Sequence, residues 1–221
     1  PRLYHSGATE DLNTLINQIL FTSDYDTVGL IGFSLGGNIT LKYLGEQGNA
    51  LSKAIKSAAV FSVPLDLSAG SDRLSETDNF LYERRFLRNL KAKARLKLKQ
   101  YPNLINGELL DSIRTLRAFD DHITGPVHGL KNAADYYAQC SSKSFIEHIA
   151  IPTLIVNAKN DPFLPEQCYP YDLTEALNNV NFETPDRGGH VGFFSVNNSG
   201  RYWSEQRALE FIEQQTNGLQ A

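Results

Sequence analysis

Methionine is absent from the 221 residues, and cysteine and tryptophan nearly so, at two and one. An ordinary translated chain starts with Met and this one starts at Pro1, so it reads as a processed, cut or incompletely represented protein. Cys140 and Cys168 stand far apart with no Cys-x-x-Cys spacing, which argues against a zinc site or redox pair and for a reducing, cytoplasmic setting. No apolar run approaches the ~20 residues of a membrane-spanning helix. Pro1 to Glu10 has neither the basic start nor the apolar stretch of a signal peptide. Basic excess is lacking too: the formal charge is -4, so the overall balance gives no reason to expect nucleic acid as a partner. What is present, 41% hydrophobic and 21% charged residues, suffices for one large domain with a substantial core.

Along the chain, short apolar runs alternate with stripes at helical spacing. Gly7 to Phe21 carries Leu12, Leu15, Ile16 and Ile19 as the apolar side of a helix. Thr27 to Phe33 fits a strand buried on both faces, and Leu35 to Glu46 resumes a helix. A second buried strand runs from Ile55 to Val63. Asp66 to His148 is mostly helical and polar. Strand character returns at Pro152 to Ala158 and, weakly, at Val180 to Glu183; a last helix spans Trp203 to Gln214 with Leu209, Phe211 and Ile212 inward. Strands alternating with helices predict an α/β fold with a mostly parallel sheet, divided as core (1–65), helical cap insertion (66–148) and core (149–221).

Gly32-Phe33-Ser34-Leu35-Gly36 is a G-x-S-x-G sequence placed after a strand and before a helix, where the motif has mechanical meaning. The turn lifts the Ser34 hydroxyl above the sheet, and the flanking glycines let strand and helix approach closely. The Leu35 backbone N–H, at the helix start, is the candidate oxyanion donor. Serine is a weak nucleophile without a base held by a third group. Asp161 follows the Pro152 to Ala158 strand and His190 follows the Val180 strand, which gives the chain order Ser, acid, His. Asp186 is a poorer acid, being the type of residue that forms turns. His5, His122, His128 and His148 follow no late strand. Asp120, Asp121, His122 and His128 match no standard metal-ligand spacing, and no metal or organic cofactor is implied.

Arg84, Arg85, Arg88, Lys91, Lys93, Arg95, Lys97 and Lys99 are eight of the 21 basic residues, and Leu87, Leu90, Ala94 and Leu98 form a stripe beneath them. The plain reading is a cap helix with a solvated basic face. The sharper one is peripheral contact of Arg84 to Lys99 with an anionic membrane surface.

At these residues the sequence resembles the YheT-like branch of α/β-hydrolases, the AB hydrolase-4 family of esterases and lipases. The resemblance runs through Tyr4-His5-Ser6-Gly7, Gly32-Phe33-Ser34-Leu35-Gly36-Gly37-Asn38, Leu41-Lys42-Tyr43-Leu44-Gly45-Glu46, Phe119-Asp120-Asp121 and Asp135-Tyr136-Tyr137. It continues through Pro152-Thr153-Leu154-Ile155, Asn160-Asp161-Pro162-Phe163 and Gly188-Gly189-His190-Val191-Gly192-Phe193. It implies Ser34, Asp161 and His190 as nucleophile, acid and base acting on a small-molecule acyl ester. It also implies a further stretch before Tyr4, with the first strands and a second oxyanion donor. The expectation is therefore a fold whose N-terminal strands are missing from this chain or supplied by another. An acyltransferase with an alcohol acceptor, or a non-catalytic binding module, are the rival readings.

Overall fold

The apolar runs become four parallel strands in the computed structural model, which describes residues 3–194 and 200–217. In chain order the principal elements are α1 (Thr9–Thr22), β1 (Val28–Phe33), α2 (Leu35–Gln47), β2 (Ile55–Phe61), α3 (Leu67–Leu74) and α4 (Phe80–Gln100). They continue with α5 (Ala133–Cys140), β3 (Thr153–Val156), β4 (Val180–Glu183) and α6 (Trp203–Asn217). The strands lie in the order β1-β2-β3-β4, each parallel to its neighbour. Their register sets Phe33 opposite Phe61, Phe61 opposite Val156 and Val156 opposite Glu183. The carboxyl ends are thus level, and the loops that leave them start from one edge, where open parallel sheets bind ligands.

The chain divides into two compact units. One comprises Ser6–Leu65 with Ser141–Ala221 and holds the sheet; the other comprises Pro1–His5 with Asp66–Cys140 and is helical. The sequence carried the insertion to His148. The structure assigns Ser142–His148 to the sheet unit, where Ile146 is wholly buried in the core with Leu41 and Leu44 of α2. Similarly, the segment before Ser6 belongs to the helical unit and not to the core.

In the sheet unit, alternate residues of the central strands face opposite layers. Ile55, Ala58, Val60 and Ile155 pack against Ile16, Leu41 and Leu44 of α1 and α2. Ala59, Phe61, Leu154 and Val156 pack against Ala208 and Phe211 of α6. Covering on both faces explains the apolar runs Ala58 to Phe61 and Leu154 to Val156 in these strands. Each enclosed Leu, Ile or Phe contributes about 1.5–3 kcal/mol.

Expectation and structure also differ within individual elements. β1 was expected to be buried on both faces, yet Ile31 and Phe33 are 46% and 40% exposed. The cause is its position: among the described residues β1 pairs only with β2, at the end of the sheet. In α1 the inward residues are Leu12, Ile16 and Leu20, four apart, while Leu15 and Ile19 are exposed. In α6 Ala208 takes the buried position and Leu209 is exposed. β2 and β3 stop short of Val63 and Ala158; β2 does so because the Asn157 side chain takes up the backbone of Val63, accepting its N–H at 2.7 Å and donating to its C=O at 3.1 Å.

The helical unit is built on local signals. Asp66 caps α3 by accepting the Ala69 N–H at 3.0 Å, and Asn106 and Thr115 cap the short helices Gly107–Ser112 and Leu116–Phe119. Leu87, Leu90, Ala94 and Leu98 of α4 meet Ile105, Leu110, Ile113, Phe119 and Ile123 in a separate core.

Candidate active site

Between the end of β1 and the start of α2 stands one residue, Ser34, so the chain must turn there at once. It does so at φ 50°, in the left-handed region, at a cost of about 1–3 kcal/mol. Two bonds fix the turn: the Ser34 N–H donates to Phe61 O at 2.8 Å, and its C=O accepts the Asn38 N–H at 3.1 Å. A Cβ on Gly32 would lie 2.8 Å from Gly37 Cα, and one on Gly37 would lie 2.6 Å from Val63 Cγ2. Gly36 would meet nothing within 4 Å. The close approach read from the motif's two glycines therefore falls on Gly32 and Gly37, because Gly36 faces open space.

The chain leaves β3 at Asn157 and closes a turn in which the Asp161 N–H donates to Ala158 O at 3.0 Å. The Asp161 side chain is fully enclosed, and its Oδ1 accepts the Phe163 N–H at 3.0 Å. Nearby, the Tyr169 hydroxyl donates to Ala158 O at 2.6 Å; burial, and then the Asp161 charge, push this phenol above its ordinary value.

After β4 the chain turns through Gly188 and Gly189, whose N–H groups both donate to Asn160 Oδ1 at 2.9 Å. Gly188 has no room for a side chain, with Phe193 Cε1 at 2.6 Å and Ala158 Cβ at 2.7 Å from its Cβ position. Val191 and Phe193 adopt φ 57° and 36°, and the Val191 N–H donates to Ser62 Oγ at 2.9 Å. Ser62 is itself left-handed at φ 52°.

These loops bring three of the expected side chains together. His190 Nδ1 lies 2.9 Å from Asp161 Oδ2, and His190 Nε2 lies 2.9 Å from Ser34 Oγ. A carboxylate can only accept, so Nδ1 carries the proton and Nε2 is left to accept the serine hydroxyl. The Phe163 ring sits 4.5 Å from the imidazole and limits its rotation. Leu35 opens α2, so its N–H is one of the first-turn donors that a helix cannot satisfy internally.

The other candidates go elsewhere. Asp186 is exposed and pairs with Lys159 at 2.8 Å; that hydrogen bond pulls its carboxyl below the ordinary value. His5, His122 and His128 belong to the helical unit, and His148 ends the Ser142–His148 turn. Among the described residues no three His, Cys, Asp or Glu side chains gather as a metal-ion site. Asp120 instead accepts from Thr124 Oγ1 at 2.6 Å and from the Tyr137 hydroxyl at 2.8 Å.

Sequence reasoning missed Asn160, Ser62 and Asn157. Asn160 and the Gly188-Gly189 pair are turn-forming types, a signal that something bends there, but nothing local says that one caps the other.

A family model described as the alpha/beta hydrolase fold matches residues 1–195. The chain belongs to the α/β-hydrolase fold family. This α/β-hydrolase is 40% identical over 195 residues to the Escherichia coli (strain K12) protein named "Putative esterase YheT", covering 87% of this chain and 56% of that one. It is 30% identical over 220 residues to a Saccharomyces cerevisiae protein named monoacylglycerol lipase, covering 96% of this chain and 48% of that one. The chain spans about half the length of the curated relatives it matches. A solved Pyrococcus furiosus esterase is similar in fold, with TM-score 0.56 and 14% identity over 97% of this chain and 65% of that one.

Proposed function

We propose that this α/β-hydrolase chain carries the nucleophile, base and acid of a serine hydrolase that cleaves lipid-like carboxylic esters through an acyl-enzyme. The observation that carries the reading is the Ser34 Oγ to His190 Nε2 distance of 2.9 Å, with Asp161 on the other ring nitrogen. Ser34 Oγ attacks the ester carbonyl carbon while Nε2 takes the hydroxyl proton. The resulting oxyanion is met by the Leu35 N–H at the start of α2, reinforced by the helix dipole. Collapse breaks the carbon–oxygen bond to the leaving alcohol, which takes the proton from Nε2. Water then repeats the sequence on the acyl-serine. Asp161 keeps the productive tautomer and stabilises the imidazolium that forms. That the similar proteins are named esterase and monoacylglycerol lipase supports an acyl ester as substrate.

The test is turnover of a short-chain nitrophenyl ester by the enzyme and its Ser34→Ala variant, with circular dichroism as the control for folding. Loss to the background rate is expected, and retained turnover would mean another nucleophile. An ethyl ester formed on adding ethanol would move the reading to acyl transfer. No turnover even when the N-terminal stretch implied by the family resemblance is present would leave a binding module.

A further inference from the structure

The helix α4 holds eight of the 21 basic residues of the chain and one of its 25 acidic ones. That one acid, Glu83, is turned inward, where it accepts the Ser75 hydroxyl at 2.7 Å and the Leu116 N–H at 3.0 Å. Two of the basic side chains are also engaged locally. Lys91 donates to Ile113 O at 2.7 Å, and Arg95 pairs with Asp111 at 2.6 Å. Arg84, Arg85, Arg88, Lys93, Lys97 and Lys99 have no carboxylate partner among the described residues. Like charges this close repel one another, and a bare solvated helix gains nothing from crowding them.

Opposite the buried stripe of α4 runs a second row at helical spacing: Leu81, Arg85, Arg88, Ala92, Leu96 and Lys99, all exposed. Leu81 and Leu96 are 75% and 62% exposed. A single exposed leucine is ordinary. Two of them on the same ridge as unpaired arginines, about four turns apart, form the pattern of a helix lying in a lipid interface. There the charges meet headgroups and the leucines enter the acyl boundary. A nucleic-acid surface would use the arginines and have no use for the leucines. No helix among the described residues is long and apolar enough to cross a membrane.

We propose that the outer face of α4 docks on an anionic lipid bilayer, its arginines on lipid phosphates and Leu81 and Leu96 at the edge of the hydrocarbon. This surface is independent of the proposed ester chemistry and stands or falls without it. The chain carries a net charge of -4, so attraction is confined to this helix and fixes which face meets the membrane.

Co-sedimentation of the purified chain with vesicles of phosphatidylcholine, and of phosphatidylcholine mixed with phosphatidylglycerol, tests it. Binding is expected to the mixed vesicles alone and to fall steeply with added salt. Each basic side chain near an anionic surface strengthens binding about fivefold, so the triple variant Arg84→Gln, Arg85→Gln, Arg88→Gln should lose on the order of 10². Leu81→Ser with Leu96→Ser should weaken vesicle binding severalfold and leave binding to a single-stranded oligonucleotide unchanged. Equal binding to both vesicle types, or to neither, overturns the proposal without any variant. Oligonucleotide binding that excludes vesicles, with the leucine variant indistinguishable from the unaltered chain, would make the surface a nucleic-acid one and also overturn it.

Discussion

The two units solve different problems, and their backbones differ accordingly. All four non-glycine residues at positive φ among the described residues, Ser34, Ser62, Val191 and Phe193, belong to the sheet unit. One is the nucleophile candidate, one adjoins His190, and Ser62 holds Val191 through its hydroxyl. The helical unit has none among its described residues; it is held by caps, an apolar stripe and surface ion pairs. Strained residues persist only where their surroundings over-determine them. Here the strain lies at the joints that aim Ser34 and His190, whereas the helical unit is regular and carries its character on its outer charge.

The sharpest way to break this contrast is to alter an aimed carboxylate and an unaimed one. Asp161→Asn leaves the shape but permits the wrong imidazole tautomer, so ester turnover should fall about 10⁴-fold. Asp186→Asn should change turnover by less than about threefold, because its partner is the exposed Lys159. The reverse ranking would move the acid role to Asp186. Next comes the joint itself. Asn160→Ala removes the acceptor shared by the Gly188 and Gly189 N–H groups and lets the His190 loop drift from the Asp161 loop. We expect kcat to drop about 10- to 100-fold with KM little changed, since small misplacements of a catalytic group cost that much. An equal rise in KM would point to substrate binding instead.

The smallest effect belongs to the helical unit. Burial pushes the half-buried Asp120 carboxyl above its ordinary value, so the folded chain holds this proton more tightly than the unfolded one. The stability it contributes is complete below the unfolded value and is lost as pH rises through the folded value. Asp120→Asn should cost about 1 kcal/mol for the weakened bond to Thr124 or Tyr137. It should also flatten the decline in stability as pH rises from the ordinary carboxylate value. Denaturant midpoints across that range read both. An unchanged slope, or an activity loss as large as that of Asn160→Ala, would erase the distinction between the units.

How much could be read beforehand follows the range of the interactions involved. The strands at Ile55–Phe61 and Thr153–Val156 were visible because a strand covered on both faces is mostly apolar, Val28–Phe33 showed the same apolar run, and Val180–Glu183 read only weakly because Asn181 and Glu183 interrupt it. The same logic failed at Ile31 and Phe33, since apolar composition says nothing about which neighbours a strand has. The stripe Leu87, Leu90, Ala94 and Leu98 was legible because helix periodicity is local, yet in α1 it could not decide between Leu15 and Leu20. Ser34, Asp161 and His190 were legible as a chain order tied to strand ends. Asn160, Ser62 and Gly37 were not, because each acts on a residue brought near only by folding: Asn160 on Gly188 and Gly189, Ser62 on Val191, and Gly37 on Val63.

The central claim is that Ser34 is an activated nucleophile, and its most direct test is covalent labelling by a fluorophosphonate followed by peptide mapping. The account predicts one adduct, on Ser34, absent in Ser34→Ala and formed orders of magnitude more slowly in His190→Ala. An adduct on a different residue, or a folded chain in which Ser34 reacts equally fast with and without His190, would contradict it.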